Sequence, residues 1–183
     1  ISLGAGSSNV WTPIGHSLKS ATLNPDGALN GDLWPTIADS ERGPYFAWAI
    51  WSRLNGTDYD LAWSRWTKAG WQEIAGLTPG AEQPGDDLDV AMTFDSKGRP
   101  YVVWWRDQED GGRVYLSLFL LSHWMNAYPV SGPDVDGRYP SIAILDDGTI
   151  EVTYETPDGI AIQEVVFDEP VTITDDIDPL DHL

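Results

Sequence analysis

DSKGRPYVVWW, residues 95–105, has a close counterpart in DSERGPYFAWA at residues 39–49. Laid together on Pro44 and Pro100, the stretches match PYFAW to PYVVW and place Trp48 on Trp104. A third version, LDDGTIEVTY at residues 145–154, puts Tyr154 at the same place. A short apolar run precedes each: PTIA from residue 35, DVAMTF from 89 and PSIAIL from 140. An apolar run, an Asp/Gly turn and a second run of alternating β-branched and aromatic residues form the pattern of a β-hairpin with one buried face.

The match continues downstream. LAWSRW from residue 61 lies on VYLSLF from 114, and IAIQEVVF from 160 is a shorter third version. Trp71 and Trp124 each open a fourth strand, and WTPIG from residue 11 resembles WQEIAG from 71. VTITDD from 171 is the last strand candidate. The period is therefore about 50 to 56 residues with four strands per repeat, the signature of β-propeller blades. The expected fold is all-β: a β-propeller-type repeat of four-stranded antiparallel blades, about three blades per chain. The expected divisions are a fourth strand and link at 9–34, blades at 35–86, 87–139 and 140–174, and an acidic tail at 175–183. Trp48, Trp63, Trp66, Trp71, Trp104 and Trp124 read as filler between blades.

These runs of residues resemble the repeats of the sialidase-like, Asp-box-related β-propellers, from about residue 30 to 167. The resemblance is specific for the architecture and carries little about the activity. The family's Asp-box usually lies between the third and fourth strands. Here the Asp95–Gly98 and Asp146–Gly148 turns lie between the first and second, which points to a relative rather than a true sialidase.

Three blades do not close a ring alone, since closed propellers typically have four to eight. The expected partners are a second copy of the chain, sharing a strand such as 9–16 to close six blades, or further blades of a longer chain. The charge argues against other partners. With 29 acidic residues against 10 Lys and Arg, the net charge is −19, which repels phosphate backbones and anionic membrane surfaces. No apolar run reaches the ~20 residues that span a bilayer. Cysteine is absent, excluding disulfides and thiolate metal sites. The opening ISLGAG without Met reads as a processed or excised start. Together these features predict a secreted or cell-surface protein.

A sialidase-type enzyme would need an arginine cluster to grip a substrate carboxylate. Arg42, Arg53, Arg65, Arg99, Arg106, Arg113 and Arg138 do not recur at matching positions in the sequence overlay. Acids such as Asp58, Asp60, Asp107 and Glu155 are too numerous to select among. His16, His123 and His182 lack zinc-site spacing. No catalytic residue is assigned. The expected function is a non-catalytic binding or assembly module, glycan-binding or part of a surface assembly. The alternative is a sialidase-like glycoside hydrolase fragment or subunit with a site shared between chains. Sugars stack on exposed aromatic rings. Trp51 and Trp105, near the ends of second strands, are the first candidates for this role, and Trp34 and Tyr139, in the crossing loops, are the next. Asp32, Asp87 and Asp136 precede innermost strands and are the candidate oxygen ligands for Ca²⁺; the competing reading makes them turn formers.

Overall fold

The computed structural model describes residues 31–39, 47–72, 74–77, 85–109 and 111–166. The expected strand at 9–16, the run from 171 and the tail at 175–183 lie outside the described residues. Among those residues every regular element is a strand. In the first sheet β1 (Asp32–Asp39), β2 (Ala47–Asn55) and β3 (Asp58–Thr67) pair in order. Two short pieces, β4 (Gly70–Trp71) and β5 (Ala75–Gly76), pair with the outer edge of β3. The second sheet repeats this plan with β6 (Asp86–Phe94), β7 (Pro100–Asp107) and β8 (Arg113–Leu120), edged by β9 (His123–Trp124) and β10 (Tyr128–Pro129). The third comprises β11 (Arg138–Ile144), β12 (Ile150–Thr156) and β13 (Gly159–Val165). All pairings are antiparallel. The chain is a stack of propeller-type blades.

The turns explain why the first hairpins of the second and third blades fold back where they do. Gly98 adopts φ 78° and Gly148 φ 89°, a region open to glycine at little steric cost. The Asp95 carboxylate accepts hydrogen bonds from the Lys97 and Arg99 amides, both at 2.9 Å. In the third blade Asp147 accepts one from the Thr149 amide at 2.9 Å. Side-chain acceptors of this kind stand in for backbone partners and fix the turn.

The cores lie between blades rather than within them. One cluster joins Trp48, Ile50 and Leu61 of the first blade to Val90, Val102, Trp104 and Trp124 of the second. The other joins Tyr101, Val103, Val114, Leu116 and Leu118 of the second to Ile150, Val152 and Tyr154 of the third. Trp48 and Trp63 stack at 5.1 Å between centroids, with Phe119 and Trp124 edge-on to them. Arg65 lies over Trp48, Trp63 and Phe119, in the cation–π range. Trp66 and Trp71, read from sequence as filler, instead pair with each other at 5.6 Å on the half-buried outer edge.

Strand pairing also corrects the sequence overlay. Thr36 pairs with Ile50, Ala91 with Val103, and Ser141 with Thr153. Trp51, Trp104 and Tyr154 are therefore equivalent, and Trp48 corresponds to Tyr101. Residues 40–46 separate the first two paired strands of the first blade, against 95–99 in the second. That extra length makes Pro44 and Pro100 a misleading anchor.

The corrected register exposes a repeated polar device, and with it two arginines that do recur. Trp51 donates its Nε1 proton to Asp32 at 3.0 Å, and Trp104 donates its own to Asp87 at 2.9 Å. Arg53 and Arg106 occupy the same place two residues on. Arg106 grips Asp87 bidentately at 2.6 and 2.8 Å, while Arg53 stands 4.0 Å from Asp32. In the third blade Gly137, Tyr154 and Thr156 replace the trio. A β-carbon at position 137 would lie 2.8 Å from the Tyr154 ring, so glycine is required where the other blades have aspartate.

Asp87 and Arg106 are both buried, so each depends on the other to neutralise its charge. Arg106→Met strands a buried carboxylate, and urea unfolding should show a loss of about 3–5 kcal/mol. Adding Asp87→Asn, which retains an acceptor for Trp104, should recover part of that loss. A single substitution no more destabilising than an exposed ion-pair deletion, below about 1 kcal/mol, would refute this role.

Candidate functional site

Each innermost strand carries a register break at the same place. The irregularities fall between Leu33 and Thr36, Leu88 and Ala91, and Arg138 and Ser141. Directly after the first residue of each pair stands a non-glycine residue at positive φ: Trp34 at 46°, Asp89 at 52° and Tyr139 at 49°. That conformation costs an L-residue about 1–2 kcal/mol, with aspartate among the more tolerant types. Bulges bend a strand and re-aim side chains. β1 packs on β6 and β6 on β11, so the three bulges form an arc along one end of the stack. The backbone feature is shared, whereas the side chains it presents differ.

The arc is supported from behind by the polar trios of the first two blades. The Tyr59 amide donates to Asp86 at 3.0 Å, tying the start of β6 to the β2–β3 hairpin. Between the second and third blades, the Arg138 guanidinium lies 4.9 Å above the Trp105 ring. Arg138 also donates to Asp136, from Nε at 3.3 Å and Nη2 at 3.1 Å. Beneath this stack, Gly112 allows close approach: a β-carbon there would sit 1.7 Å from Trp105 Nε1. That indole nitrogen is buried without a hydrogen-bond partner.

Charges around the stack are uneven. The hydrogen bonds that Arg138 donates to Asp136 raise the Arg138 pKa, with further support from the charge of Asp107. Burial pushes the Asp89 carboxyl above its ordinary value, and Arg138 offsets only part of the rise. One guanidinium thus faces the fields of Asp89, Asp107 and Asp136. The patch is acidic on balance, with a cationic hydrogen-bond donor at its centre and exposed aromatic residues along the arc.

The sequence-derived site residues divide by exposure. Trp34 is 46% and Tyr139 61% exposed, whereas Trp51 is 6% and Trp105 8% exposed. The two first-choice rings are therefore not open stacking platforms. Trp51 belongs to the Asp32 trio, and Trp105 is enclosed between Arg138 and Gly112. The two second-choice rings sit at the bulges. Asp32, Asp87 and Asp136 are not brought together: each carboxylate meets an arginine beside its own strand, and no group of three His, Asp or Glu positioned for a metal occurs among the described residues. Asp136 is not even the counterpart of the other two, because Gly137 holds that place. Sequence reading missed Asp89 and set Arg138 aside with the other arginines. Only the repeated register break reveals Asp89, and only the Trp105 contact reveals Arg138.

No family model matches the chain, and no curated protein matches it. Among solved structures it is similar to an endo-arabinase from Bacteroides thetaiotaomicron VPI-5482, with TM-score 0.51 and 14% identity. That alignment covers 74% of this chain and 56% of the arabinase, so the chain spans little more than half the enzyme's length. It is also similar to the NanB sialidase from Streptococcus pneumoniae, at TM-score 0.46 and 16% identity, covering 72% of this chain and 22% of that one. At these identities the arabinase likeness establishes the fold of the blades, which is that of an all-β propeller-type stack.

Proposed function

We propose that the bulge arc is a carbohydrate-binding surface on a non-catalytic, extracytoplasmic module. The observation that carries this reading is the placement of Trp34 and Tyr139. Both are large aromatic residues, well exposed, and held at the same strained bulge position. Sugar rings present C–H faces that stack on such surfaces, while nearby polar groups bond the hydroxyls. Tyr139 would supply the stacking face, Asp89 a carboxylate acceptor and Arg138 a donor beside it. The acidic surroundings favour an uncharged polysaccharide over one bearing carboxylates.

A hydrolase with its site shared between chains is the competing reading. It draws support from the fold likeness to an endo-arabinase and from Asp89, a carboxyl held up by burial in the manner of a general acid. It requires a second carboxylate on the same arc, at roughly 5–9.5 Å from the first. Reducing-sugar release from a neutral polysaccharide, abolished by Asp89→Asn, would replace the binding reading with this one.

Two substitutions test the binding surface. Tyr139→Asn removes the ring and places a residue tolerant of positive φ at the bulge. Calorimetric titration with soluble neutral polysaccharides (arabinan, xylan, β-glucan) should show affinity falling about tenfold, with the melting temperature unchanged or raised. Equal affinity for wild type and variant would exclude the stacking role.

Asp89→Asn should separate stability from binding. A carboxyl with a raised folded pKa holds its proton more tightly in the fold than in the unfolded chain. Its ionisation at neutral pH therefore lowers stability, and this loss disappears as pH falls through the folded value. The variant should melt higher than wild type at neutral pH, with the difference shrinking on acidification, while polysaccharide affinity drops. A melting difference independent of pH would rule out the burial argument.

A further inference from the structure

The end of the stack opposite the bulge arc holds a cleft between the second and third blades. Strands β6 and β11 carry their bulges near their first residues, so the arc lies where they begin. The turns at 95–99 and 145–149 follow their last residues, and between these turns opens a cleft of about 350 Å³. That volume lies in the range of small-molecule sites.

The two turns share a backbone plan and differ in charge. Phe94 pairs with Pro100 as Ile144 pairs with Ile150. The Asp95 and Leu145 amides donate to the Arg99 and Thr149 carbonyls at 3.1 and 2.8 Å. Lys97 and Arg99 of the second blade therefore stand where the third has Asp147 and Thr149. Arg99 is engaged by Asp95, to which it donates from Nε and Nη2 at 2.5 Å each. Asp147 is engaged by the Thr149 amide. The Lys97 ammonium and the Asp146 carboxylate both line the cleft, yet neither has an ion-pair or hydrogen-bond partner among the described residues. One cleft thus carries two opposite charges that do not meet each other.

A third polar group opens on it. Tyr101 lines the cleft with its ring packed in the seam between the blades, 6% exposed. Its hydroxyl has no hydrogen-bond partner among the described residues, although buried polar groups ordinarily find one. The phenol belongs to this blade alone, since Trp48 and Glu151 hold the same place in the others. Burial raises the Tyr101 pKa, and Arg99 offsets part of the rise, so the hydroxyl keeps its proton and remains a donor. Phe94, Ile144 and Leu145 supply an apolar wall.

We propose that this cleft binds a small zwitterion, an α-amino acid with an apolar side chain. Lys97 and the Tyr101 hydroxyl receive the carboxylate, Asp146 receives the ammonium, and the apolar wall takes the side chain. A lone anion would be repelled by Asp146 and a lone cation by Lys97, and an uncharged sugar would leave both charges unpaired. A zwitterion pairs both. The cleft shares no residue with the bulge arc, so it stands or falls independently of the carbohydrate reading.

Calorimetric titration of the full chain with leucine, valine, phenylalanine and methionine, up to millimolar concentration, tests this. At least one should bind, and its decarboxylated amine and its deaminated acid should each bind at least about tenfold more weakly. Lys97→Ala and Asp146→Ala change exposed side chains. Both should keep the wild-type circular dichroism spectrum and melting temperature while losing affinity about tenfold. Tyr101→Phe removes only the hydroxyl, so affinity should fall about fivefold. Its melting temperature should be unchanged or raised, because no internal hydrogen bond is lost. A lowered melting temperature would mean that the protein itself satisfies the hydroxyl, and overturns the inference. So does failure of all four amino acids to bind, equal binding of an amine or acid analogue, or affinity indifferent to Lys97→Ala and Asp146→Ala.

Discussion

A sheet three or four strands wide has two faces and cannot shield either of them alone. The rest of this structure follows from that constraint. Both apolar clusters lie between sheets, and each draws residues from two consecutive blades. Aromatic residues suit such seams because one ring covers a wide area with few rotatable bonds. Trp48, Trp63, Phe119 and Trp124 accordingly form one interlocked group across the first seam. The second seam is built mainly from aliphatic residues with Tyr101 and Tyr154. Two seams with different contents hold together three copies of nearly the same backbone.

The polar trios serve the same constraint at the end of the stack where the arc lies. A buried indole is most stable when its N–H group finds an acceptor; Trp105 has none, whereas Trp51 and Trp104 each have one. Asp32 and Asp87 provide it, and a buried carboxylate in turn calls for a cation, which Arg106 supplies in full and Arg53 more loosely. The chain of requirements runs from Trp to Asp to Arg. Where tyrosine replaces tryptophan at position 154, both aspartate and arginine disappear together. These charges are consequences of packing, which is why they offered a misleading trail to a metal.

Much of the fold was legible in the sequence, and the reasons are physical. Alternating apolar residues, Asp/Gly turns and tryptophans at matched places are imposed by hairpins that bury their faces. The register of the first blade was not legible, because a different number of residues separates two strands whose residues look alike. The arc was legible only in part. Positive φ is advertised by glycine, and here Trp34, Asp89 and Tyr139 adopt it without that marker. Trp51 and Trp105 drew attention for their position at strand ends, yet burial is a property of neighbours. Only Gly112 and Arg138, distant in sequence, decide that Trp105 is enclosed.

Strand β7 differs from the others: from Pro100 to Arg106 every residue is buried. Tyr101 and Val103 point into one seam, Val102 and Trp104 into the other. Most strands in the stack have a side where an error in pairing is cheap. A slip of one residue in β7 would send Trp104 into a seam shaped for valine and withdraw its indole from Asp87 at the same moment. The middle strand of the middle blade therefore acts as a common origin from which both seams are measured. The two outer blades are coupled to each other through it, although they share no core.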